Sequence, residues 1–186
     1  MHVRSAEVTD AEEILDIYSY YVIHTAITFD YEVPELEEFA DHIADVLEDY
    51  PFLVLEDEGA IQGYAYAGPL KDRAAYARSC ETSIYVRNNA RRKGYGRILY
   101  QELEKDLSEL GILNLYACIA SPIGQDDCLT RDSEFFHTRL GYTLAGTFHQ
   151  CGYKFGRWYD VIWMEKMIGD HVPDQIDLRL LRRILT

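Results

Sequence analysis

The chain has 186 residues, 48% hydrophobic and 13% aromatic, with 32 Asp plus Glu against 18 Lys plus Arg and a formal net charge of −14. That is the length of one ordinary domain and the composition of a packed core rather than a disordered coil. The acidic balance argues against a nucleic-acid binder, whose affinity comes from cations on phosphates, and against docking on anionic lipid.

The start, MHVRSAEVTD, lacks the apolar stretch of a signal peptide, and no later run approaches a membrane span. A cytoplasmic address is the resulting expectation. Thr9 or Asp10 reads as the N-cap of a first helix, with Glu12 and Glu13 in its first turn, where the helix dipole favours anions. Ile14, Leu15, Ile17, Tyr18, Tyr21 and Val22 recur on its apolar face. Pro34 opens a second helix with Leu36, Phe39, Ile43, Val46 and Leu47 inward.

Phe52 to Glu56 and Ile61 to Ala67 flank Asp57-Glu58-Gly59-Ala60 as a hairpin. Residues 69 to 77 read as a loop and Ser79 to Val86 as a strand. A third helix runs from about Gly94 to Leu110, with Ile98, Leu99, Leu103 and Leu107 inward and Gly111 as its C-cap. Ile112 to Ile119 reads as a strand covered on both faces. Residues 120 to 130 form a loop, Arg131 to Leu140 a helix, and segments near 142–149 and 158–167 the last strands. Cys80, Cys118, Cys128 and Cys151 show neither zinc spacing nor a disulfide pattern, so no metal is expected.

Charge is not spread evenly. Residues 1–70 carry −16 and residues 98–186 carry −4, whereas residues 71–97 carry +6. That reversal coincides with Arg91-Arg92-Lys93-Gly94-Tyr95-Gly96-Arg97, a turn joining strand to helix. Glycines there let backbone amides approach a phosphate, and the helix N-terminus adds partial positive charge. A P-loop needs Lys then Ser or Thr after the second glycine, and Arg97-Ile98 follows Gly96 instead. A dinucleotide fingerprint needs a third small residue where Leu99 stands. The remaining pattern, R-x-x-G-x-G, is that of a coenzyme A pyrophosphate turn.

On this motif the chain resembles the GNAT superfamily of N-acetyltransferases, and most of all its phosphinothricin N-acetyltransferase branch. YAYAGPLKDRAAYARSCETSIYV before the turn, and the run Gly152-Tyr153-Lys154, Gly156, Trp158 and Asp160 after it, are similar to that branch's signatures. The resemblance spans residues 3 to 168. It implies an α/β (α+β) fold with a mixed, mostly antiparallel sheet flanked by helices, whose splayed parallel strand pair holds acetyl-CoA. It implies that the backbone of Ile84, Tyr85 and Val86 holds the pantetheine arm and thioester, and that Arg91 to Arg97 hold the pyrophosphate. Glu81 matches the acidic residue proposed as general base, and His137 a position close to the departing sulfur. Ser133 keeps its place four before His137, whereas Thr130 stands where the family has Asn, and the loop Ser121 to Asp132 is longer than usual.

The expected reaction is acetyl transfer from acetyl-CoA to the amine of a small molecule, an amino acid or a phosphinothricin or methionine sulfone analogue. An alkylamine near pKa 10 must lose a proton before attack, which a half-buried carboxylate can accept. Glu81 is therefore the candidate base, with an ion pair to Arg73 or Arg78 as the structural alternative. His137 is a candidate acid or a satisfied helix histidine. Arg73, Arg78 and Lys154, with Lys71, are candidates for an acid group on the acceptor. Tyr21, Phe29 and Tyr76 are candidates to wall its pocket, or simply core. An acyl-CoA-binding module without turnover is the second hypothesis, motivated by Thr130 and the enlarged loop. Residues 169–186 read as a helical extension docking on its own domain or on a second copy in a homodimer.

Overall fold

The computed structural model describes residues 1–173 and 175; the expected helical extension over 169–186 lies largely outside the described residues. One seven-stranded sheet has the order β1-β2-β3-β4-β5-β7-β6, from strands His2–Ser5 (β1), Phe52–Asp57 (β2), Ala60–Pro69 (β3), Ser79–Val86 (β4), Asn114–Ser121 (β5), Thr143–Lys154 (β6) and Arg157–Met167 (β7). Every pairing is antiparallel except β4 with β5. Helices Ala11–His24 (α1) and Leu36–Asp49 (α2) pack over β2, β3 and β4 on one face, and Tyr95–Glu109 (α3) and Asp132–Arg139 (α4) pack on the other. No helix among the described residues is long and apolar enough to cross a membrane.

The periodicities account for most of this. Glu58 and Gly59 both have positive φ (55° and 79°), as a two-residue turn matching the twist of β2 and β3 requires. Leu99, Leu103 and Leu107 of α3 are fully buried, each burial stabilising by about 1.5–3 kcal/mol. Gly111 takes φ 78° just beyond α3. At the other end, Asp10 does not cap α1 with its side chain. Its carboxylate accepts the Glu7 amide (2.8 Å) and binds the Arg4 guanidinium, closing a 3-10 turn that precedes the helix.

Three differences matter. β1, too short and polar to announce itself, pairs with β2 at the sheet edge. β6 runs five residues past the expected end, through a bulge where Gln150 has φ 49°, to a tight turn at Phe155-Gly156. β5 is covered on one face only: Leu115, Ala117 and Ile119 are buried under α3, whereas Cys118 is exposed.

Candidate active site

β4 and β5 pair over only three residues, Ser79 to Glu81 against Asn114 to Tyr116, and then separate. Where the next rung would form, Thr82 Oγ1 donates to the Tyr116 carbonyl instead (3.2 Å). The Arg78 carbonyl accepts amides of Leu113 and Asn114, while the Arg87 amide donates to Gln62 on β3. Strand alternation therefore turns the backbone groups of even-numbered β4 residues toward β5. Beyond the splay, Ile84 faces an opening lined on the far side by Cys118 and Ala120, and farther along β4 the Val86 carbonyl accepts the Tyr21 hydroxyl. An unpaired strand edge of this kind is a ready partner for an extended amide-bearing chain.

This edge leads to the basic turn. Arg92 and Gly94 have positive φ (65° and 89°), and open space surrounds Gly94, so the first amides of α3 point outward without helical acceptors. A Cβ on Gly96 would lie 3.1 Å from the Phe136 ring and 3.4 Å from Ile84, so glycine lets α3 start against α4 and β4. Arg91, Arg92, Lys93 and Arg97 are exposed around the turn, with Arg91 5.2 Å above the Tyr21 ring. Tyr95 is buried and donates to Asp57 Oδ2, anchoring the helix start to β2. Pyrophosphate, pantetheine and thioester thus have a donor set of the right length and sign: the residues fit acetyl-CoA.

On the α3 face, four buried polar side chains close the inner end of the cleft. His137 is 3% exposed; its Nδ1 bonds the Ser133 carbonyl (2.8 Å) and its Nε2 bonds the Tyr100 hydroxyl (2.8 Å). Tyr100 also meets Thr82 Oγ1 (3.2 Å), which meets the Tyr142 hydroxyl (3.4 Å). Burial holds the His137 pKa down at about 4, with the Ser133 carbonyl opposing. The imidazole is therefore neutral near pH 7, with Nδ1–H donating to Ser133 and Nε2 accepting from Tyr100. Of the two expectations for His137, this geometry fits the satisfied helix histidine, with both ring nitrogens engaged within the protein.

Glu81 sits on the opposite face. Cys80, Ile84 and Val86 pack into the α3-side core, and Tyr85 packs against the α1-side cluster, so the odd-numbered Glu81 and Ser83 share the α1 side. Burial raises the Glu81 pKa and the Lys71 ammonium opposes it. No salt bridge joins Glu81 to Arg73 among the described residues, and Arg78 donates to the Gly111 carbonyl (2.8 Å). Arg78 thereby ties the α3–β5 turn to β4. Ile27 lines the cleft next to Cys118 and Ala120, bringing the segment after α1 over the same opening.

The acceptor-binding candidates divide. Arg73 and Tyr76 lie exposed at a 3-10 turn before β4. Tyr21 is buried, its hydroxyl donating to the Val86 carbonyl and its ring under Arg91, so it belongs to the coenzyme side. Lys154 is 2% exposed and donates to the carbonyls of Val22 (2.8 Å) and Thr28 (2.9 Å), so its ammonium is buried rather than open to solvent. Phe29 packs over Gly152 and Tyr159. Thr130 Oγ1 accepts the Asp132 amide at the start of α4, and Asp126 caps Cys128 and Leu129 in the enlarged loop. Neither departure touches Glu81.

The acetyltransferase (GNAT) domain description matches residues 3–163. The chain belongs to the GNAT acetyltransferase family. It is 35% identical to a phosphinothricin N-acetyltransferase of Streptomyces viridochromogenes over 87% of this chain and 84% of that one. It is 33% identical to an L-methionine sulfoximine/L-methionine sulfone acetyltransferase of Salmonella typhimurium, over 94% and 99%. A GNAT superfamily phosphinothricin acetyltransferase from Sinorhizobium meliloti, solved with acetyl-CoA, superposes with a TM-score of 0.83 at 32% identity, covering 90% of this chain and 88% of that one. This GNAT chain is an acetyl-CoA-dependent N-acetyltransferase.

Sequence reasoning missed Tyr100, Thr82, Tyr142 and Asp126. Tyr100 was accessible to it: it lies four after Gly96 and three before Leu103 on the buried face of α3. The Asp126 contacts are long-range and leave no local signal.

Proposed function

We propose that the enzyme acetylates the α-amine of a small amino acid or a phosphinothricin- or methionine sulfone-like analogue, by direct attack of the amine on acetyl-CoA. The observation that carries this reading is the order along β4: Glu81 at the last rung with β5, then the edge freed by the splay at Ile84, and then the left-handed Gly94 turn beyond the strand. Acceptors named for the relatives, phosphinothricin and methionine sulfone or sulfoximine, support the substrate class.

In this reading Glu81 takes a proton from the acceptor ammonium, directly or through one water, a contribution of about 10²- to 10⁴-fold. Its raised pKa makes it a better base than an exposed carboxylate. The Ile84 amide donates to the thioester oxygen as negative charge grows there. Tyr100 lines the cleft on the far face, but its one hydroxyl proton is donated to Nε2 of neutral His137; the departing thiolate, a weak base, takes its proton from solvent. Lys71, exposed and close enough to act on Glu81, and Arg73, exposed on the same segment before β4, supply charge for the acceptor's acid group.

A homodimer belongs to the same reading. The β6–β7 hairpin exposes Leu144, Phe148, Tyr153, Phe155 and Trp158, an apolar surface suited to a second copy. So does a cytoplasmic address, where acetyl-CoA is available.

Calorimetry with acetyl-CoA, followed by thiol release with the twenty amino acids and methionine sulfone, tests the reading. Binding together with turnover of at least one α-amine is expected. Absence of acetyl-CoA binding overturns the reading, and binding without turnover of any acceptor overturns the substrate class.

A further inference from the structure

The signature run Gly152-Tyr153-Lys154, Gly156, Trp158 sits at the β6–β7 turn, yet its best-buried groups reach away from that hairpin. Lys154 Nζ donates to Val22 O, in the last turn of α1, and to Thr28 O. Val22 O is available because the Ala26 amide, its helical partner, donates instead to Cys128 O (3.1 Å). A cation at a helix C-terminus also meets the negative end of the dipole. Burial depresses the Lys154 pKa and Asp30 opposes that shift.

The neighbouring contacts act on the same segment. A Cβ on Gly152 would come within 2.1 Å of the Phe29 ring, so the ring occupies the space glycine leaves. The Tyr31 hydroxyl donates to the Tyr153 carbonyl. Thr28 Oγ1 bonds the Tyr18 hydroxyl (2.8 Å), and Tyr18 donates to Asp30. From the other strand of the hairpin, Arg157 (2.9 Å) and Tyr159 (3.2 Å) both bind Asp126 Oδ2, in the enlarged loop whose Cys128 carbonyl holds Ala26. One hairpin therefore grips two loops, residues 25–31 and 126–129, and Ile27 on the first lines the cleft on the Glu81 side.

We infer that Lys154 is a positioning residue for the acceptor side of the site: with Gly152 and Phe29 it latches residues 25–30 over the cleft, setting acceptor binding without touching the substrate. The coenzyme turn is at the far end of β4 and shares none of these contacts. The latch should therefore govern the acceptor KM and leave acetyl-CoA affinity alone. Its kinetic consequence rests on the acetyltransferase reading; its structural consequence does not.

The experiment uses the full chain with Lys154→Met and, independently, Gly152→Ala, which pushes on Phe29 while sparing the ammonium. Amide exchange of residues 25–30 is read by mass spectrometry, with acceptor KM, kcat and acetyl-CoA Kd measured in parallel. Both variants should exchange at least about tenfold faster over 25–30, because losing the tether lowers the local opening free energy. Acceptor KM should rise about tenfold with Kd for acetyl-CoA within about twofold. Phe29→Leu added to Gly152→Ala should restore slow exchange. Unchanged exchange in both folded variants overturns the latch, as does equal weakening of acceptor and coenzyme. If the wild-type chain binds acetyl-CoA but acetylates nothing, the substrate reading fails while the exchange result still decides the latch.

Discussion

Glu81 and His137 flank the same strand separation from opposite faces of the sheet, Glu81 on the side of α1 and His137 under α3 and α4. The opening between β4 and β5 is the passage from one to the other. An acyl group threaded there would meet the Glu81 carboxylate on one side and the buried hydroxyl network on the other.

The pH dependence of catalysis should follow from Glu81. Burial raises its pKa, so the active, ionised form is lost as pH falls at a higher pH than for an exposed carboxylate. The kcat/KM of the wild type should rise with pH through that ionisation and then level. Glu81→Gln should lower kcat by about 100-fold or more, flatten the profile, and spare acetyl-CoA binding by calorimetry.

His137 bears on stability. Its folded pKa of about 4 lies below the unfolded value near 6.5, so between these values the unfolded chain binds the proton and the folded chain does not. Stability is thus full above about pH 6.5 and declines as pH falls toward 4, by on the order of 3 kcal/mol from this group. The thermal midpoint should drop over that window. In His137→Asn, less stable at pH 7, this component of the slope should be absent.

Tyr100→Phe tests the hydroxyl apart from the packing. The ring is kept, but Nε2 of His137 loses its donor, which costs about 1–3 kcal/mol. The thermal midpoint should fall, while kcat, acceptor KM and acetyl-CoA Kd hold. A fall in kcat at unchanged Kd would overturn a purely structural place for the hydroxyl.

The elements legible in the sequence were those with strong local grammar. Alternation marked β4 to the residue, a 3.6-residue period marked α3, and glycines at 94 and 111 marked its ends, because each signal acts within a few residues. The coenzyme turn was legible for the same reason. What was not legible depends on contacts far apart in the chain. Lys154, a substrate-cation candidate by its type, is buried and directed to the carbonyls of Thr28 and Val22, 126 and 132 residues away. Tyr21, read as a pocket wall from its place on α1, reaches Val86 across 65 residues.

That last contact makes a final prediction. Tyr21 is packed edge-on to Tyr85, caps the Val86 carbonyl, and carries Arg91 above its face. The ring attracts the guanidinium by about 0.5–1 kcal/mol at an exposed site, which limits its freedom before a phosphate arrives. Tyr21→Leu keeps an apolar core residue but removes both the face and the hydroxyl. Acetyl-CoA should bind about 3- to 10-fold more weakly, since the ordering of Arg91 must then be supplied on binding. Desulfo-coenzyme A, which keeps the pyrophosphate, should lose affinity equally, whereas acetyl-pantetheine, which lacks it, should be affected far less. Tyr21→Phe retains the ring and should recover most of the loss, dividing the contribution of the aromatic face from that of the hydroxyl on Val86.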